Sequence, residues 1–355
     1  MNGPDRPLAP SESAGAAPSR PPRSIRRTST IDTDWPEGRT GLMRMVGRAR
    51  DAVTHSAGGA PIVCSEDLFR ARVQWDRTIV EIDSDPARSA INRLNGARGG
   101  GHLRKILDEV LPDEHREATP LYLLLDDISG ASLVAGWAWS RWSTDWLARS
   151  SEGGAAPARP PMRKMEGVCI GFRPGSGALN ADGTSSGHQS AADVADLRRA
   201  DDPLGWHEFT EQKDVGMRRA RRIDIWLDGL IQIDSAFQDS ATNPAGGRTA
   251  VHEYRLSATA DPVTLELLSV RAEPRILPYV ECPAAAANVH RLVGAPLSSL
   301  RQKVLEDLRG TAGCTHLNDA LRALAEVPAL VERLRPFDAS PLKSRNAIAN
   351  DSQIL

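Results

Sequence analysis

Alternating hydrophobic and polar residues predict a group of β-strands in the C-terminal half of the chain. The alternation runs through residues 221–227 and 230–236, and strand-like stretches follow at 251–258 and 263–270. Asp-Gly, Asn-Pro and Asp-Pro pairs, which favour turns, separate these stretches. Consecutive strands joined by short turns are typical of an antiparallel meander.

Three helices are expected after these strands. Pro283 suits the first position of a helix that ends before Gly294. A second helix is predicted at 297–308, and a third begins at Thr315 or His316, where leucines recur every three or four residues. The pattern therefore predicts a sheet with helices covering one of its faces.

The N-terminal half has a similar order of elements. Thr119 is a predicted N-cap, and Pro120 stands at the first helical position. Hydrophobic side chains then recur at helical spacing as far as Trp146. Short matching sequences also recur in the same order in both halves, among them 26–27 with 218–219, Asp51 with Asp239, and 94–97 with 292–295.

We therefore predict an α+β fold of two degenerate repeats, each an antiparallel sheet followed by helices packed on one face. The predicted division is a disordered tail (1–24), a degenerate first repeat (25–149), a linker or insertion (150–205), a second repeat with a Cys/His cluster (206–335) and a loose tail (336–355). Residues 165–172 are predicted as a short strand within the linker.

Composition narrows the class of protein. The 355 residues are 40% hydrophobic and 25% charged, with a net charge of −2, which gives no indication of nucleic-acid binding. The first 23 residues lack the apolar core of a secretory signal, and no stretch approaches the ~20 apolar residues of a membrane span. We expect a cytoplasmic protein that binds neither nucleic acid nor membrane, with its four cysteines as free thiols or ligands.

The charged clusters have ordinary interpretations. Residues 218–219 and 221–222 are arginine pairs in an alternating strand, so a solvated sheet face is expected. Asp126 and Asp127 have no visible partner base and are expected on a solvated helix face. The tryptophans of the long helix in the first repeat are expected in core or interface packing.

Four residues of the second repeat are candidate metal ligands. Cys314 and Cys282 each lie at a predicted helix start, where the partial positive charge favours a thiolate. His316 follows two residues after Cys314, and His252 lies on the third predicted strand. If these side chains converge, His252, Cys282, Cys314 and His316 form a set with the Cys₂His₂ composition of zinc sites.

The two repeats differ at these positions. In the first repeat Cys64 takes the place of His252, Ala118 that of Cys314 and Pro120 that of His316. The segment that carries Cys282 has no counterpart there. The predicted site is therefore confined to the second repeat. The alternative at each position is a buried thiol or a histidine with local hydrogen bonds.

The second repeat resembles a family of uncharacterised bacterial proteins that is classed as a domain of unknown function. The resemblance rests on the Gly-Cys-Thr-His-Leu sequence at 313–317, on Cys282 and on the Leu-Val-Gly sequence at 292–294. It implies no established activity. A fainter likeness in the order of Cys282, 292–294 and Cys314 is to the NifU/IscU-type iron–sulfur scaffold family, although His252 stands where that family has its first cysteine.

These observations predict a metal-binding accessory protein that holds zinc or an iron–sulfur cluster. One alternative is an enzyme with Cys314 as nucleophile and His316 or His252 as base. Another is a non-catalytic protein that forms a homodimer or binds an unknown protein partner through the tryptophan-bearing helix.

Overall fold

One continuous antiparallel sheet contains strands from both halves of the chain. The computed structural model describes residues 10–142, 164–187 and 189–337. Within them nine strands form the sheet. Their order is Ile79–Asp85 (β4), Ile62–Val73 (β3), Met43–Thr54 (β2), Ser24–Asp34 (β1), Gly216–Asp228 (β6), Leu230–Thr242 (β7), Arg248–Ala260 (β8) and Ala192–Val194 (β5), and Leu267–Ile276 (β9) pairs with the rest of β8. The inner strand β1 pairs over its full length with residues 216–226 of β6, so the two meanders join into a single sheet.

The first half forms four strands and then a group of helices. The strands are β1 (Ser24–Asp34), β2 (Met43–Thr54), β3 (Ile62–Val73) and β4 (Ile79–Asp85). The α-helices are α1 (Gly101–Val110), α2 (Pro112–Arg116), α3 (Pro120–Val134) and α4 (Trp139–Trp142), with 3₁₀ turns at Ile91–Leu94 and Ala135–Ala138. Thr119 caps α3 as predicted, because its side chain accepts a hydrogen bond from the Tyr122 N–H. Trp146 lies outside the described residues.

The second half repeats this order. The connecting segment contains β5 (Ala192–Val194) and 3₁₀ turns at Ile170–Phe172 and Pro203–Gly205. The strands are β6 (Gly216–Asp228), β7 (Leu230–Thr242), β8 (Arg248–Ala260) and β9 (Leu267–Ile276). The helices are α5 (Leu300–Asp307), α6 (Thr315–Arg322) and α7 (Val327–Leu334), with 3₁₀ segments at Cys282–Leu292, Leu297–Ser299, Gly310–Ala312, Ala323–Glu326 and Arg335–Phe337.

The meander and the helix starts agree with the sequence pattern, whereas two predicted strands do not. The 263–270 stretch begins as a turn, because Asp261 accepts hydrogen bonds from the backbone N–H groups of Val263 and Thr264, and β9 starts only at Leu267. Residues 165–172 form turns and a 3₁₀ segment instead of a strand. The predicted helix after Pro283 is a 3₁₀ helix.

The described parts of the predicted tail (1–24) and of the predicted linker (150–205) contact the sheet. Ser13 and the Ala14 N–H donate hydrogen bonds to Glu253, and Arg20 is buried in an ion pair with Asp202. In the predicted linker, β5 pairs with the Arg248 end of β8. Polar anchoring of this kind leaves little trace in hydrophobic periodicity, so composition predicts a disordered tail for 1–24 and a linker or insertion for 150–205.

The helices cover one face of the sheet over two large hydrophobic clusters. One cluster contains side chains of β6–β8 and α5–α7, such as Ile223, Leu256 and Leu321. The other contains side chains of β2, β3 and α3, such as Met45, Phe69 and Leu125. Among the described residues, no helix combines the length and the apolar character needed to cross a bilayer.

Candidate metal centre

Three side chains of the second half meet between the sheet and the helix layer. Asp239 lies on β7, and His252 lies directly opposite it on β8. His316 is the second residue of α6, which packs on these strands. One ligand atom from each residue lies within 4.8 Å of the others. Among the described residues, these three side chains are the group that meets this distance criterion for holding a metal ion.

Local backbone features bring these side chains together. The β7–β8 register shifts between Asp239 and Ser240, and such bulges re-aim side chains. The two imidazole rings stack, with centroids 3.3 Å apart. The Oδ2 atom of Asp239 lies 3.3 Å from Nδ1 of His252 and 3.8 Å from Nε2 of His316. One carboxylate oxygen therefore faces two imidazole nitrogens.

Arg219 fixes the carboxylate from its other side. Its Nε donates to Oδ1 of Asp239 at 2.9 Å, and its Nη2 donates to Oδ2 at 3.1 Å. Burial alone would raise the pKa of Asp239, but the Arg219 guanidinium holds that pKa well below its usual range. Asp239 is therefore a buried carboxylate in its charged, ligand-competent form.

His252 is buried, the side chain of His316 is 15% exposed, and both imidazoles are favoured in the neutral form. Burial lowers the pKa of His252, and Asp239 only partly opposes this effect. Burial and the neighbouring His252 lower the pKa of His316 well below its usual value. Within the described part of the chain, Nδ1 of His252 and Nε2 of His316 make no hydrogen bond. Buried polar atoms normally have a hydrogen-bond partner, so these two nitrogens beside one carboxylate oxygen are candidate ligand atoms.

A buried ion network holds Arg219 in place. Its Nη1 donates to Oδ2 of Asp319 on α6 at 3.0 Å and lies 3.7 Å from Oδ1 of Asp127 on α3. Gly130 makes room for this guanidinium, because a Cβ there would lie 1.8 Å from Nη1. The network joins β6, α3 and α6, and so fixes the carboxylate end of the centre.

The predictions that the strand arginines lie on a solvated sheet face, and Asp126 and Asp127 on a solvated helix face, are therefore wrong. All four strand arginines are buried, with exposures of 7% or less: Arg218, Arg219, Arg221 and Arg222. Asp127 pairs with Arg221, and Asp126 pairs with Arg104, Arg301 and Arg322. Arg219 and Arg221 are compensated by helix carboxylates that are distant in the sequence, whereas Arg218 pairs with Asp32 and Arg222 with Asp224 and Asp234 on the strands.

The structure brings together two of the four predicted ligands and adds one. His252 and His316 belong to the group, whereas Cys282 and Cys314 do not. Cys314 is itself the N-cap residue of α6, and it is 3% exposed. Burial raises the pKa of its thiol, so the helix start does not produce the expected thiolate. Sequence reasoning missed Asp239, although its match with Asp51 was a usable signal.

The first half has a different arrangement at the corresponding place. Ser65, not Cys64, lies opposite Asp51 in the β2–β3 register, so the predicted equivalence of Cys64 with His252 is off by one residue. The same register shift follows Asp51 and Asp239, so the one-residue offset comes from the turn instead: Val53 pairs with Ile62, whereas Ala241 pairs with Thr249. The second oxygen of Asp51 receives a hydrogen bond from the Arg333 guanidinium at 2.7 Å.

An Asp and two His side chains can act together as ligands of a transition metal. Neutral imidazoles and carboxylates bind Zn²⁺ at about 2.0–2.2 Å, and three protein ligands leave a further coordination position. The same donor combination occurs with non-haem iron. In both cases the ligands must be unprotonated, which is the state that this environment favours.

Comparison with known proteins identifies the part of the chain that contains this centre. No curated protein and no solved structure matches the chain. The predicted Gly-Cys-Thr-His-Leu signature and the likeness to the NifU/IscU-type scaffold family stay predictions. Residues 217–330, which include Asp239, His252 and His316, match the family described as a protein of unknown function (DUF2889), so the chain carries a DUF2889 domain there.

Proposed function

We propose that this protein is a metal-binding accessory protein that holds one divalent transition-metal ion, zinc or iron(II), in its C-terminal half. The ligands are Asp239, His252 and His316. The observation that carries the proposal is the pair of buried imidazole nitrogens without hydrogen bonds beside one charged carboxylate oxygen. A cation between these atoms would satisfy all of them at once.

Burial favours a holding role over catalysis. Asp239 is fully buried, His252 is 7% exposed and the side chain of His316 is 15% exposed, so a fourth coordination position has limited access to a dissolved substrate. A single ion also suits the donors better than an iron–sulfur cluster, because clusters are held chiefly by cysteine thiolates.

The alternative functions have weaker support. A cysteine nucleophile reacts as a thiolate, and the buried Cys314 thiol has a raised pKa. The tryptophans expected at a dimer interface have partners within the chain: Trp139 packs edge-on against Trp35, and Trp142 donates to the Thr242 carbonyl. A protein partner and a cytoplasmic location stay predictions.

We also propose that the two halves arose by duplication. In support, Arg27 lies opposite Asp51 on the neighbouring strand, just as Arg219 lies opposite Asp239. In each half, the pairing with the next strand shifts register immediately after the aspartate. Each half also continues from its meander into helices on the same face.

Metal analysis of the purified chain tests the proposed function. Protein prepared without chelators and then dialysed against zinc is expected to retain about one ion per chain, the stoichiometry of a single zinc site. His252→Ala and His316→Ala remove ligands and are expected to abolish retention. His290→Ala is the matched control, because His290 is exposed and lies outside the centre. Retention by both ligand variants, or none by the wild type, would refute the proposal.

A further inference from the structure

Three cysteines surround one buried tyrosine next to the candidate metal centre. Tyr254 is two residues beyond His252 on β8, and Cys314 is two residues before His316. Cys282 begins the 3₁₀ helix after β9, and Cys169 immediately precedes the Ile170–Phe172 turn. The same strand and helix start therefore support two clusters of different chemistry, one with imidazoles and a carboxylate and the other with thiols.

The backbone brings the cysteine segments into direct contact. The Ile170 N–H donates to the Gly313 carbonyl at 2.9 Å, which places Cys169 beside Cys314. Asn288, on the 3₁₀ helix that Cys282 begins, donates through Nδ2 to the Ala312 carbonyl at 2.8 Å. Both segments are thus tied to the loop immediately before Cys314.

Gly171 opens the space between two of the sulfurs. A Cβ at this position would lie 2.9 Å from Sγ of Cys282 and 3.7 Å from Sγ of Cys169. A side chain on residue 171 would therefore push the sulfurs away, whereas glycine lets both approach the same point. The Cys314 thiol acts on both of them, since after burial it is the next cause that raises the pKa of Cys169 and of Cys282.

The surroundings suit sulfur ligands. Backbone N–H groups of Gly171 and Phe172 point to the Cys169 sulfur, and those of His316 and Leu317 point to the Cys314 sulfur. N–H groups of this kind stabilise metal-bound thiolates. The Tyr254 hydroxyl is fully buried beside these sulfurs, and the Cys314 sulfur is its polar neighbour.

We propose that Cys169, Cys282 and Cys314 form a second site, for a soft, thiophilic metal ion of the Cu(I) class. Thiolates select such ions, whereas the imidazole and carboxylate group next to it suits zinc or iron(II). Each thiol that binds the ion releases its proton to solvent as the metal–sulfur bond forms. The three sulfurs are not among the groups whose ligand atoms all lie within 4.8 Å, so binding draws them together by side-chain rotation.

Cu(I) titration under anaerobic, reducing conditions tests this site. The full chain competes with a colorimetric Cu(I) chelator, and thiolate-to-copper charge-transfer absorption reports sulfur ligation. The wild type is expected to retain Cu(I) against the chelator with that absorption. Cys282→Ser and Cys169→Ser are expected to weaken binding by at least about tenfold, the lower end of the loss from disturbing a metal's surroundings. Circular dichroism establishes that each variant is folded. If Cys282→Ser does not fold, Cys169→Ser still tests the site, because Cys169 is less buried than Cys282.

Two control variants show whether a loss of Cu(I) binding is specific to the three cysteines. Cys64→Ser removes the exposed thiol on β3 and is expected to leave Cu(I) affinity unchanged. His290→Ala removes an exposed histidine outside both clusters and is also expected to leave Cu(I) affinity unchanged. Zinc retention measured on the same Cys282→Ser protein keeps a failure of the proposed zinc or iron centre distinguishable. The thiol site is refuted if the wild type retains no Cu(I), if both cysteine variants bind like the wild type, or if Cys64→Ser abolishes binding.

Discussion

Each half of the sheet contains a buried arginine–aspartate ion pair between neighbouring strands, but the other contacts of the aspartate differ between the halves. In the first half, Nε of Arg27 donates to Oδ1 of Asp51 at 2.6 Å. In the second half, Nε of Arg219 donates to Oδ1 of Asp239 at 2.9 Å. Each aspartate is fully buried, and each lies next to a register shift in the following strand pair.

The second oxygen of each carboxylate distinguishes the halves. In the first half it accepts a hydrogen bond from Arg333, a permanent cation that belongs to the protein. In the second half, Oδ2 of Asp239 faces the neutral imidazoles of His252 and His316. The first half thus carries this compensating charge within the chain, whereas in the proposed function an ion from solution takes that place in the second half.

Removing the shared carboxylate is expected to have the largest effect. Asp51→Ala leaves Arg27 and Arg333 without this partner, and breaking a buried pair costs about 3–5 kcal/mol of unfolding free energy. Urea unfolding in the absence of metal measures the change. Zinc binding by the folded variant is expected to be unchanged, because the ligands lie in the other half. A loss of zinc binding in a folded Asp51→Ala chain would contradict the separation of the two halves.

Metal itself is expected to stabilise only through the second half. A ligand that binds the folded state alone adds about 2.7 kcal/mol at a concentration one hundred times its Kd. Urea unfolding of the wild type with and without zinc is expected to give an increase of this order. His316→Ala is expected to show none, and Arg333→Met is expected to keep the full increase. An equal increase in His316→Ala would mean that zinc binds elsewhere.

Removing the permanent cation is expected to have a moderate effect. Arg333→Met leaves Asp51 with Arg27, and a hydrogen bond to a charged group is worth about 1.5–3 kcal/mol. The side chain of Arg333 is 23% exposed, so the lower part of that range is expected. Urea unfolding of Arg333→Met and the wild type measures it. A loss as large as that of Asp51→Ala would show that Arg333, not Arg27, chiefly compensates the carboxylate.

Copying one ligand into the first half is expected to have the smallest effect. Ser65→His places an imidazole opposite Asp51, at the register position that His252 occupies opposite Asp239. No additional zinc is expected, because Arg333 already holds the second oxygen of Asp51. Metal content per chain measures this outcome. A second bound ion in Ser65→His would show that the permanent cation does not exclude metal.

The sequence predicts the local elements better than the long-range register. Alternation identifies β6, β7 and β8, and Thr119 marks the start of α3, because these signals depend on neighbouring residues. Val263 is misleading, since an apolar residue extends the apparent strand into a turn where it is 59% exposed. The pairing of β1 with β6 joins strands that are distant in the sequence, and nothing local encodes it.

The candidate centre is only partly predictable, because local sequence signals do not reveal which distant residues come together. His252 and His316 stand out by residue type and position, whereas Asp239 becomes a candidate only when the β7–β8 register places it opposite His252. The burial of Arg219 is also not visible in the sequence, because its partner Asp319 comes from a helix a hundred residues away. Charged residues in an alternating strand usually face solvent, and only these long-range partners reverse that expectation.

Anomalous diffraction from zinc-soaked crystals of the full chain would locate the bound ion. We expect one strong peak within about 2.0–2.2 Å of Oδ2 of Asp239, Nδ1 of His252 and Nε2 of His316, and no peak between Asp51 and Arg333. A fully zinc-loaded crystal with no peak at the Asp239 group, or with a peak beside Asp51 instead, would contradict this expectation.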